Sequence, residues 1–114
     1  MEVQYLPIKK EKIKYRPFLF AINLEGNNLI FRISWNPVAE AFFFDLFDRQ
    51  KNSIIKGRKI VYGQNMLSNI IDKRLPNLQI VPLDPAGDCK EKGITFNNFM
   101  NQIKPYLLEI EDDN

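Results

Sequence analysis

The stretch WNPVAEAFFFDLFDRQKNSIIKG, Trp35 to Gly57, sets three phenylalanines in a row at Phe42, Phe43 and Phe44 and a fourth at Phe47. Asp45 and Asp48 are threaded among them. A helix would press Asp45 against the aromatic cluster, and a strand buried on both faces would exclude the acids. A strand with one buried face resolves the conflict, because its successive side chains point to opposite sides. Phe42, Phe44 and Leu46 then enter a core, while Phe43, Asp45 and Phe47 form a half-covered outer face. Asp48 falls where the strand enters the polar turn DRQKNS, a place where Asp bonds the local backbone.

The same period extends upstream. In FLFAINL, Phe18, Phe20, Ile22 and Leu24 share one face. EGNN follows with hairpin-turn chemistry, and in LIFRISW the residues Leu29, Phe31, Ile33 and Trp35 alternate with Ile30, Arg32 and Ser34. The two runs read as an antiparallel hairpin. Asn36-Pro37 breaks the pattern before the aromatic strand. Downstream, IIKGRKIVY reads as a fourth strand with a bulge or bend at Gly57.

Beyond Gly63 the signal changes. QNMLSNIIDKRL places Met66, Leu67, Ile70 and Ile71 at helical spacing before Pro76, which predicts a short helix or an irregular turn. NLQIVPLD predicts a strand pushed to an edge by Pro82. In TFNNFMNQI, Thr95 is a candidate N-cap and Phe96, Phe99, Met100 and Ile103 share a face, which predicts a two-turn helix stopped by Pro105. YLLEIE predicts a last strand, with Tyr106, Leu108 and Ile110 opposite Leu107, Glu109 and Glu111. The expected fold is mainly β: a small antiparallel barrel or sandwich of about five to seven strands with one or two short helices. Residues 1–16 read as an arm, 17–111 as a single β-rich domain and 112–114 as an acidic tail.

Composition narrows the chemistry. A chain of 114 residues, 45% hydrophobic and 26% charged, fits one globular domain. With no histidine and a single cysteine, Cys89, an internal disulfide is excluded and a zinc site nearly so. Without histidine there is no Ser-His or Cys-His pair, so Cys89 reads as a tolerated loop thiol rather than a nucleophile. The glycines are scattered singly, leaving no phosphate-cradling loop. Asp45 and Asp48, three apart on a strand, face opposite sides and cannot share a catalytic site. The expectation is therefore no catalytic residue, no cofactor and no metal.

The net charge is only +2, yet it is unevenly spread: Lys9, Lys10, Lys12, Lys14 and Arg16 begin the chain, and Glu109, Glu111, Asp112 and Asp113 end it. One reading takes the protein as a small barrel that binds single-stranded nucleic acid or an acidic partner, with Phe43 and Phe47 as platforms beside Arg32, Arg58 and Lys59. The acids on the same face would repel phosphate, which makes nucleic acid the weaker reading. Surplus aromatic surface, edge strands and arms of opposite charge better suit a subunit of an assembly. The MEVQYLPIKK start has no apolar stretch of signal-peptide length, and no apolar run approaches a membrane span. The expectation is a chain made in a cytoplasm and kept there or packed into a particle.

The ordered set of signals resembles a known family. YLPI (Tyr5 to Ile8), a hairpin ending in RISWN (Arg32 to Asn36), the aromatic strand ending in FFDLFD (Phe43 to Asp48), GQNML (Gly63 to Leu67), LQIVPLD and TFNNF occur in the order found in the small baseplate plug proteins of contractile-tailed phages and related phage-like particles, known from a cyanophage baseplate. The chain departs from that pattern in two places. DRQKNS lacks the family's Asp-Gly-type turn, and Phe96-Asn97 stands where Tyr-Asp or Tyr-Glu is common. The resemblance spans nearly the whole chain. It implies a non-enzymatic virion component at the end of the tail tube, beside hub, spike and tube proteins, in a homo-oligomeric ring about the tail axis, made in the bacterial host. The residues expected at interfaces are Tyr5, Leu6, Ile8, Lys9 and Lys10 of the arm, docking on a neighbour by strand addition or charge pairing, and Phe43, Asp45 and Phe47 of the outer face. On this reading, removing the residues before Arg16 leaves the fold intact.

Overall fold

The structure, a computed structural model, describes residues 4–110. The acidic tail, with Glu111, lies outside the described residues.

Among the described residues six strands form two antiparallel sheets. β1 (Phe18–Leu24), β2 (Asn27–Asn36), β3 (Ala41–Asp48) and β4 (Ser53–Lys59) make a four-stranded meander in the order β1-β2-β3-β4. β5 (Leu78–Leu83) pairs with β6 (Lys104–Glu109). The sheets do not close on one another, so of the two expected architectures the fold is the sandwich-like one. The period of two is observed where it was expected: Phe42, Phe44 and Leu46 are buried, as are Leu29, Phe31 and Ile33, while Phe43, Asp45 and Phe47 are half-buried. Burying each such apolar side chain contributes about 1.5–3 kcal/mol. The rings stack along the meander, Phe20 on Phe31 at 5.4 Å and Phe31 near Phe44 at 6.2 Å between centroids.

β4 is irregular where Gly57 was expected to bend it. The pairs Phe44↔Arg58 and Leu46↔Ile55 leave Lys56 and Gly57 together opposite Asp45, a two-against-one bulge. Gly57 takes φ +59, a left-handed conformation that glycine adopts without the steric penalty of a Cβ.

Among the described residues the only helical element is one 3-10 turn, Lys10–Lys12, so of the two readings of QNMLSNIIDKRL the irregular turn holds, and the two-turn helix expected over TFNNFMNQI is corrected. In the first, the backbone is committed elsewhere: Met66 N–H donates to Ile80 O at 2.7 Å, and Asn65 Oδ1 accepts from Leu67 and Ile80. These bonds lay residues 63–66 along β5. Met66 and Leu67 are buried, but Ile71 is fully exposed, which a helical stripe would not produce. In the second, Thr95 and Asn98 do cap one another, through Thr95 N to Asn98 Oδ1 at 2.8 Å and Asn98 N to Thr95 Oγ1 at 3.1 Å. No helix develops beyond this single turn, because Met100 takes φ +66 and Asn98 O gathers the amides of Asn101, Gln102 and Ile103.

Pro105 does not end a helix; it lies within β6, opposite Pro82 of β5. Neither needs a backbone N–H there. Their carbonyls point away from the shared ladder, Pro82 O accepting from Gly63 and Pro105 O from Leu6. β6 starts two residues before the expected strand, and its inward side chains are Pro105 and Leu107.

The segment read as an arm packs on the domain itself. Leu6 N–H donates to Pro105 O at 3.0 Å, Leu107 N–H donates to Gln4 O at 2.8 Å, and Tyr5 bridges Tyr106 antiparallel. Leu6, Ile8 and Ile13 are 0%, 5% and 1% exposed and belong to the core. Their burial follows from the two-stranded sheet, which cannot cover the meander's inner face without further apolar side chains.

Candidate interaction surface

The outer face of the meander is set by its register. Arg32 lies opposite Asp45, Ile30 opposite Phe47, and Ser34 opposite Phe43, with Leu19 and Ala21 on β1 beside them. At its centre Asp45 is fully engaged. Its Oδ2 accepts from Arg32 Nε at 2.7 Å and pairs with Nη2 at 2.6 Å, and its Oδ1 accepts the Gly57 amide at 2.6 Å. One carboxylate thus ties β2, β3 and β4. The Arg32 guanidinium also lies 5.3 Å from the Phe47 ring centroid, within cation–π reach. The result is an apolar face with a neutralised ion pair in its middle.

That arrangement bears on the nucleic-acid reading. Arg32 is spent on Asp45 and Phe47, and Arg58 donates to the carbonyls of Met66 and Ser68 at 3.3 and 2.5 Å. Two of the three cations expected beside the aromatics therefore hold the fold.

Asp48 belongs to the turn, as its position suggested. Its Oδ1 accepts from Gln50 and Asn52 at 3.0 and 2.9 Å, and its Oδ2 pairs with Arg74 at 3.0 Å. The Asn52 amide holds its carboxyl below the usual range, with Arg74 assisting against the cost of burial. Arg74 also grips Asp72 through two nitrogens, at 2.8 and 2.5 Å, which pulls the Asp72 carboxyl down to about 2. Cys89 lies in the loop between β5 and β6, and its side chain is buried in the core, 5% exposed. Burial, and then its neighbour Asp84, push the thiol's pKa up, so it stays protonated and unreactive.

The N-terminal candidates split. Leu6 and Ile8 turn inward, whereas Tyr5, 39% exposed, and Lys9 face outward. Tyr5 packs edge-on against Tyr106 with Lys104 Nζ 4.5 Å from its ring centroid. Lys10 donates to Asn97 O at 2.9 Å, and its burial there lowers its pKa. Tyr5, Ile8, Lys9 and Lys10 line a shallow cleft of about 360 Å³ with Met100 and Asn101.

Sequence reasoning named the aromatic and acidic members of the outer face but passed over Leu19, which is 56% exposed. The period of two places it opposite Phe18 and Phe20, and that signal was sufficient to find it.

Among the described residues no cluster of Cys, Asp or Glu is placed to hold a metal, and no helix is long and apolar enough to cross a membrane. The class defined by these features is a small all-β sandwich with an apolar outer sheet face. Within that class the chain belongs to the family described as cyanophage baseplate Pam3 plug gp18, whose model matches residues 3–111. No curated protein matches the chain. Membership makes it a structural component of a phage tail baseplate that associates with other baseplate proteins.

Proposed function

We propose that the protein is a non-enzymatic plug that sits at the end of the tail tube of a contractile phage or phage-like particle and narrows or fills the lumen before contraction. The family match over residues 3–111 carries this reading. Hub, spike and tail-tube proteins are its neighbours, and its own copies form a ring about the tail axis, where many weak contacts act together. The chain is made in the host cytoplasm and incorporated there. Phe43 and Phe47, half-buried on the outer face, and Tyr5, Lys9 and Lys10 beside the N-terminal cleft are the contact residues. The engaged Asp45 supports a packing role for the outer face, since a paired charge costs less to cover than a lone one.

The test is co-purification of particles assembled with Phe43→Ser/Phe47→Ser protein. The expected result is loss of the plug from baseplates while the free variant still melts cooperatively. Normal incorporation of the variant overturns the outer-face assignment. Particles that assemble and fire identically without the protein overturn the plug role.

A further inference from the structure

Among the described residues each sheet has two edges, and three of the four are covered or carry features that discourage pairing. Residues 4–6 cover β6, and residues 63–66 cover β5. β4 carries a bulge, the charges of Lys56 and Lys59, and an Arg58 bonded to the following loop. These are the usual devices against unwanted strand pairing. β1 has none of them. FLFAINL contains no charge and no proline, its register with β2 is unbroken from Phe18 to Leu24, and among the described residues no segment pairs with its outer side.

The polarity of that edge follows from the hairpin. Leu24 and Asn27 flank a two-residue turn and face each other as a hydrogen-bonded pair. The alternate residues Leu19, Ala21 and Asn23 therefore point their N–H and C=O groups away from β2. On the core side, Phe18, Phe20 and Ile22 stay only half-buried along the open margin of the sandwich.

We propose that the free protein dimerises through β1, two copies pairing antiparallel about a twofold axis at Ala21 so that the two meanders become one continuous sheet. In this register Leu19, Ala21 and Asn23 meet Asn23, Ala21 and Leu19 of the second copy, and every outward amide and carbonyl finds a partner. On the core side Phe18 meets the second copy's Leu24 and Phe20 its Ile22, apolar against apolar. At each end the exposed Arg16 comes beside the second copy's Glu25, opposite in sign. Neighbouring registers fail: a two-residue slip one way brings in Pro17, which has no N–H, and the other way brings in Glu25, which is in the left-handed region at φ +50. The edge is thus complementary to itself. The inference does not rest on the plug role; a ring about a tail axis is built from head-to-tail contacts, so incorporation opens this dimer.

Sedimentation velocity of the full chain across a micromolar concentration series tests it. The expected result is a monomer–dimer equilibrium, weakened roughly tenfold or more by Ala21→Lys, which sets two like charges together at the axis. Ala21 is exposed, so the variant keeps its far-ultraviolet spectrum. A wild-type chain that stays monomeric throughout, or a dimer indifferent to Ala21→Lys, overturns the proposal. Hydrogen exchange on the unmodified protein gives an independent reading. Protection of the Leu19, Ala21 and Asn23 amides that rises with concentration supports the pairing, and protection independent of concentration overturns it.

Discussion

Asp45 on β3 accepts the backbone N–H of Gly57 on β4 at 2.6 Å, across the bulge that Lys56 and Gly57 make opposite it. The bulge leaves an amide without a ladder partner, and the carboxylate supplies one. Its other oxygen, on Arg32, contributes less, because the Arg32 side chain is 42% exposed. Asp45→Ala should therefore destabilise the fold by about 0.5–1.5 kcal/mol, the net worth of its bond to a Gly57 amide that is exposed and passes to water when the carboxylate is removed. Asp45→Asn, which keeps an acceptor, should cost less than half as much. Urea unfolding midpoints decide it, and equal effects of the two variants would show that the charge matters more than the bulge.

Phe44 is 1% exposed and faces the core, while its neighbour Phe43 is half-buried on the outer face. Phe44→Ala should cost about 3–5 kcal/mol. Phe43→Ala should cost far less and act mainly on incorporation into baseplates. Calorimetry of the pair, read beside particle assembly, distinguishes the two faces; the reverse ranking would mean that the strand is turned over.

The turn after β3 holds Lys51 at φ +69. Left-handed conformation costs a non-glycine residue about 1–2 kcal/mol. Glycine recovers that cost but gives back part of it through greater freedom when unfolded. Lys51→Gly is expected to stabilise by about 0.5–1 kcal/mol, raising the melting temperature. A lower melting temperature would mean that Lys51 makes a contact worth more than the strain.

Acid should weaken the loop between β4 and β5. Arg74 holds the Asp72 carboxyl down to about 2, against about 3.9 for a free aspartate. A depressed carboxylate stabilises fully above its unfolded value and loses that contribution as pH falls through its folded one. The melting temperature should thus decline between about pH 4 and pH 2. In Arg74→Met this decline should flatten, and an unchanged slope would assign it to other carboxylates.

Residues 4–13 carry Leu6, Ile8 and Ile13 into the core. Truncation there should remove cooperative unfolding, since each lost core aliphatic costs about 2–5 kcal/mol. A truncated chain with a sharp thermal transition and a native near-ultraviolet spectrum would show that the segment is dispensable to the fold.

The meander was legible in the residues because its cause is local. A period of two assigns each side chain to a face, and Gly26, Asn36 and Asp48 mark the turns between strands. The outer-face candidates Phe43, Asp45 and Phe47 were placed correctly by that period, although the partners of Asp45 were not visible from spacing alone.

Elsewhere the deciding bonds come from far along the chain. Met66 and Asn65 bond Ile80, and Leu6 bonds Pro105, so residues 63–66 and 4–6 run beside strands instead of forming a helix or a free arm. The sequence by itself determined the four-stranded sheet, its inward face and its acid-bearing outer face. Only the tertiary structure decided which remaining segments cover the core and which sheet edge stays open, because a backbone amide pairs with whichever carbonyl the packed chain brings to it.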